Sequence, residues 1–61
     1  MLFTTTAYNS QGQALASETQ TDNWEAVESC LGMSEEFGHA QLVWYALNGT
    51  RVLEGEYTDR D

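Results

Sequence analysis

The chain has 61 residues, 41% of them hydrophobic, including two Trp, three Tyr and two Phe, and carries ten Asp or Glu against two Arg, a formal net charge of −8. That apolar content argues against intrinsic disorder, and the length allows one domain, 1–61, that buries only roughly 60% of its unfolded surface. With no Lys and two Arg, the chain has almost nothing to neutralise phosphate, which disfavours direct binding to DNA, RNA or an anionic membrane.

Leu2 to Tyr8 is rich in Thr and aromatic residues, a composition that suits a half-buried pleated surface and predicts a first strand. Asn9-Ser10-Gln11-Gly12 reads as a type I turn closed by a left-handed glycine, the three-residue hairpin loop. A second strand over Gln13 to Thr19 then pairs Tyr8 with Ala14, Ala7 with Leu15, Thr5 with Ser17 and Phe3 with Thr19. Phe3, Ala7 and Leu15 form the preferred buried set, with Leu2, Tyr8, Ala14 and Ala16 competing.

Asp22 followed three residues later by Glu25 has the spacing of a capping box at a helix start. Trp24, Val27, Cys30 and Leu31 recur at helical offsets and are expected on the apolar side. Gly32 either ends this helix, or is tolerated while the helix runs through Phe37 to a cap at Gly38; the preferred reading is a helix broken or bent near Gly32.

His39 to Tyr57 organises the rest, because Asn48-Gly49 is the strongest turn signal in the chain. A two-residue type I′ turn there pairs Leu47 with Thr50, Tyr45 with Val52, Trp44 with Leu53, Val43 with Glu54, Leu42 with Gly55 and Ala40 with Tyr57. Alternation then gives one core face, Ala40, Leu42, Trp44, Leu53 and Tyr57, and one mixed face, Gln41, Val43, Tyr45, Val52, Glu54 and Glu56. Residues 58–61, Thr-Asp-Arg-Asp, read as a frayed tail. The expected fold is α+β, in the order β-β-α-β-β, with two hairpins in a four-stranded antiparallel sheet and the helix across one face.

No catalytic or metal motif appears. Metal binding needs three or four convergent ligands, and the chain has one His, His39, and one Cys, Cys30. A Cys30–His39 nucleophile pair would need the two close in space, and Cys30 on an apolar helix face is more simply a small hydrophobe. A domain this small is also expected to lack a pocket of the ~300 Å³ that substrate sites usually occupy. The reading is a non-enzyme without cofactor or metal. The single Cys and the absence of a basic or long apolar stretch near Met1 point to the cytoplasm of the host cell.

Carboxylates carry the functional argument. Glu25 and Glu28, with Glu35 and Glu36 where the helix continues, make a negative row; Glu54 and Glu56 add a second row on the sheet, with Tyr45 as an aromatic centre of partner contact. Each Glu alone is most simply a solvated side chain, but the set has almost no interspersed Lys or Arg. In size and charge, with no Lys, the acidic stretch Asp22-Asn23-Trp24-Glu25-Ala26-Val27-Glu28 and no enzyme motif, the chain resembles small acidic inhibitors of phages and mobile elements. These include anti-CRISPR and anti-restriction proteins that mimic nucleic acid. The resemblance implies a basic nucleic-acid-binding partner, such as a CRISPR effector or a restriction-enzyme subunit. The alternative is an accessory protein, a homodimer through Val43, Tyr45 and Val52, whose acidity serves solubility.

Overall fold

The computed structural model describes residues 1–59. Strands β1 (Phe3–Tyr8) and β2 (Ala14–Gln20) form the first hairpin, helix α1 (Asn23–Phe37) follows, and β3 (His39–Tyr45) and β4 (Arg51–Thr58) form the second. The four strands make one antiparallel sheet in the order β2-β1-β3-β4, so the architecture is the expected α+β, β-β-α-β-β fold. The leading strands of the two hairpins pair at the centre, and the returning strands lie at the edges.

Both hairpins turn the same way. Gly12 N–H donates to Asn9 O and Asn9 N–H to Gln13 O; Gly49 N–H donates to Ala46 O and Ala46 N–H to Thr50 O. Each loop therefore has three residues, and its third is a left-handed glycine, with φ 80° at Gly12 and 86° at Gly49. This is the loop expected at Gly12. It corrects the type I′ turn expected at Asn48-Gly49, which would demand positive φ at Asn48 as well, whereas positive φ among described residues is confined to glycines. Asn48 instead uses its side chain, Oδ1 accepting from Thr50 N–H at 3.0 Å.

The longer loop shifts the register and a bulge restores it. Tyr45 pairs with Arg51, Trp44 with Val52 and Val43 with Leu53, but Leu42 still pairs with Gly55 and Ala40 with Tyr57, leaving Glu54 as the extra residue. Val52 therefore lies on the helix-covered face and Leu53 on the open one, the reverse of the sequence expectation. A matching bulge at Leu15 in β2 puts Ala16 opposite Ala7, Ser17 opposite Thr6 and Gln20 opposite Phe3. Ala16, not Leu15, packs against the core, and Leu15 is exposed. At the far end, Thr58 pairs with His39 and Asp59 N–H donates to Gly38 O, so these two are held; the fraying expected for 60–61 lies outside the described residues.

Helix α1 starts as its sequence dictates. Asp22 is extended (φ −106°, ψ 130°), and its Oδ2 accepts from Glu25 N–H at 3.0 Å, satisfying one of the unpaired donors of the first turn. The helix runs unbroken through Gly32 and ends at Gly38, whose φ of 100° lets its N–H reach Ser34 O. This corrects the break expected at Gly32. The buried stripe is Ala26, Cys30, Met33 and Ser34, with Val27 and Phe37 half-buried, a spacing of four, three and one that faces the sheet. Trp24 and Leu31, expected in the core, are 69% and 43% exposed. Phe3, Ala7, Ala40 and Leu42 complete the core from the sheet. The fully buried Thr5 hydroxyl meets Ser29 Oγ at 3.1 Å, and Ser29 donates to Glu18 Oε1 at 2.6 Å, a polar tie between helix and sheet.

Candidate functional site

Two surfaces on opposite sides of the molecule carry the chemistry-bearing side chains. On the first, the outer face of α1, Glu25, Glu28, Glu35 and Glu36 are all exposed. At 3.6 residues per turn Glu28 and Glu35 lie opposite the Ala26–Cys30–Met33 stripe and Glu25 and Glu36 along one flank of it, the four spread over about 16 Å of helix axis at 1.5 Å per residue. Among the described residues no cation lies within 4 Å of any of them, the sole ion pair being His39 with Glu56. The helix has an acidic residue in its first turn and no basic residue in its last. Trp24 and Leu31, seven residues apart, flank this row with Glu28 between them. Their exposure was not legible from spacing, because Trp24-Val27-Leu31 fits a helical face as well as Ala26-Cys30-Met33 does.

The second surface is the sheet face away from the helix. Here His39 Nε2 and Glu56 Oε2 lie 2.7 Å apart, Gln41 Nε2 donates to the same oxygen at 2.8 Å, and Arg51 donates to Gln41 Oε1 at 3.2 Å. The hydrogen bonds from Gln41 and His39 hold the Glu56 carboxyl below its ordinary range. Tyr8 stacks obliquely beside His39, ring centres 5.9 Å apart. Arg51 starts opposite Tyr45 yet reaches Gln41, so its side chain runs along the face beside Val43, which is only 7% exposed. Tyr45 and Leu53 stand out at 59% and 45% exposure.

The predicted partner-binding set is thus divided. Glu25, Glu28, Glu35 and Glu36 share the helix surface, whereas Tyr45 and Glu56 lie across the sheet from them, and Glu54 is the bulge residue on edge strand β4. The predicted dimer patch is corrected: Val43 is buried, Val52 is half-buried on the other face of the sheet, opposite Trp44, and Leu53 joins Tyr45 on the open face.

Cys30 and His39 are not brought together, since Cys30 is buried between helix and sheet and His39 is on the open face. Burial also pushes the Cys30 thiol up to about 11, the opposite of what a thiolate nucleophile needs. Among the described residues no three His, Cys, Asp or Glu converge as a metal site, and no helix is long and apolar enough to cross a membrane. The pocket expectation needs correction, because two open concavities exceed ~300 Å³. One of about 900 Å³ lies at the sheet end against Met1, Leu2, Trp44, Tyr45 and Leu47. Another of about 330 Å³ lies against Tyr8, Asn9, Phe37, His39 and Thr58.

The class defined by these features is a small α+β domain with one helix-covered and one open sheet face. In comparisons with known proteins, no family model, no curated protein and no solved structure matches the chain.

Proposed function

We propose that the protein is a stoichiometric inhibitor rather than an enzyme: the outer face of α1 docks as an acidic mimic on the basic nucleic-acid-binding surface of another protein. The observation that carries this reading is the position of Glu35 and Glu36 in the last turn and a half of the helix, with no basic residue there to offset them. A carboxylate at a helix C-terminus meets the negative end of the macrodipole and costs about 0.3–1 kcal/mol when exposed. Acidity serving solubility alone gains nothing from that placement and is better accommodated at the favourable end beside Glu25.

The row spans about 16 Å, the axial rise of roughly five phosphates on one strand of a duplex. Trp24 beside it supplies a ring on which an arginine of the partner can stack. The resemblance to phage-encoded inhibitors supports a CRISPR effector or restriction-enzyme subunit as the partner.

The test replaces Glu25, Glu28, Glu35 and Glu36 together by Gln. The variant should keep its fold by circular dichroism and no longer retain, from a host lysate, a nucleic-acid-binding protein that nuclease does not release from the wild type and that competing DNA does. Undiminished capture by the fourfold variant sinks the proposal.

A further inference from the structure

The open sheet face has no covering layer, and its composition divides along the strands. Toward His39 it is polar and internally satisfied by the His39–Glu56–Gln41–Arg51 network. Toward the β3–β4 loop Tyr45 and Leu53 stand exposed on it beside Thr4 and the start of the Arg51 side chain, and Leu2, just before β1, lines a concavity with Tyr45. We propose that this face is covered by a second copy of the chain, in a homodimer that leaves the two acidic helices on its outer sides.

Three observations select this occupant and this face. The first is charge. Each copy has a net charge of −8, so copies must meet where repulsion is least. The open face carries Arg51, the one Lys or Arg among the described residues, together with the Glu56 carboxylate held by His39 and Gln41, while four carboxylates line the helix. Pairing through the other exposed apolar strip, Trp24 and Leu31, would set eight carboxylates against one another.

The second is edge structure. Both edge strands carry a bulge, at Leu15 and at Glu54, and bulged edges resist sheet extension between copies. The third is area. The molecule measures 37 by 22 by 15 Å, so its broad side is at most on the order of 800 Å², and the roughly 800 Å² that each partner of a stable interface buries requires the whole open face rather than a part of it. A chain of this length gains most from such cover, because so little of its own surface is buried in the monomer.

Sedimentation at about 100 μM tests the proposal, first on the wild type at low and at moderate salt. The expected result is twice the 6.8 kDa chain mass, with the dimer fraction rising as salt screens the repulsion between copies. Tyr45→Lys and Leu53→Lys should each give monomers. Both lower the net negative charge, so a rise in overall repulsion between copies cannot explain their dissociation, and Tyr45→Ser, which adds no charge beside Arg51, should dissociate the dimer as well. Trp24→Lys, the same change on the helix side, should remain dimeric. Circular dichroism checks that each variant is folded, and Tyr45→Ser replaces either lysine variant that is not. A monomeric wild type at both salt concentrations overturns the proposal. So does a dimer broken by Trp24→Lys and kept by the folded sheet variants, or one that weakens as salt rises. The fourfold Gln variant should stay dimeric, which separates this interface from the partner-binding face.

Discussion

Gly32 lies on the exposed side of α1, and a methyl group added there would meet nothing within 4 Å. Gly32→Ala should therefore stabilise the protein by about 0.5–1 kcal/mol through lower unfolded-state entropy, seen as a rise of a few degrees in Tm. Glu35→Gln and Glu36→Gln should also stabilise, by a few tenths of a kcal/mol each, while weakening partner binding; Glu25→Gln, at the favourable end of the dipole, should weaken both. Urea titration of the three variants beside a binding assay checks this opposition. Loss of stability in all three would remove the argument from helix direction.

Glu56 titrates in a defined direction. Its carboxyl is held low by Gln41 and His39, so the stability it contributes is fully present above the ordinary carboxylate value of 4.5 and is lost as pH falls through the folded value. Glu56→Gln should flatten the dependence of stability on pH below about 5 and leave the neutral range less affected. Chemical unfolding at pH 3 to 6 reads the slope. An unchanged slope would mean that the network does not form in solution.

At the scale of elements, the fold class, the two hairpins and the helix start at Asp22 were legible because each rests on a local rule: turn residues, capping geometry and alternation; the helix end was not, because Gly32 offered a stop as plausible as the one at Gly38. The faces were less so. A regular ladder assigns Val52 and Leu53 by counting from the turn, and the third loop residue reverses them; the bulge at Glu54, which no local signal announces, only restores the expected pairing beyond it. Trp24 failed for a different reason. The helix has two stripes with the right spacing, and the sheet accepts the one with small residues, Ala26 and Cys30, because they let the helix approach closely. Of the candidate site, the carboxylate row was visible in composition, but its separation from Glu56 and Tyr45 required the sheet between them.

The turns give a prediction at the same scale. Gly49→Ala places a side chain at a φ of 86° and should cost about 1–2 kcal/mol. Asn48→Ala removes only the Thr50 hydrogen bond and should cost less. A type I′ turn would penalise both positions through their φ angles, so the ratio of the two losses in thermal unfolding reports the turn type.

For the whole molecule, stability is thin: at the usual 0.05–0.15 kcal/mol per residue, 61 residues give roughly 3–9 kcal/mol. Leu42 is the largest fully buried side chain, and Leu42→Ala should cost about 2–5 kcal/mol. At the low end of that stability the loss leaves the chain largely unfolded by circular dichroism unless dimer formation offsets it, and at the high end it lowers the melting temperature. If the open face is covered by a second copy, the variant's melting temperature rises with protein concentration; if the chain stays monomeric, it does not.

The two bulges also bear on how such a chain can change over generations. A residue lodged outside the hydrogen-bonded ladder acts as a removable spacer, and both spacers sit in the returning strands at the rim, never in the central pair. Deleting Glu54 should straighten β4 and leave Leu42 opposite Gly55 and Val43 opposite Leu53, preserving the core. The rim can thus gain or lose single residues, altering what it presents outward, while β1 and β3 keep the phase that the helix reads.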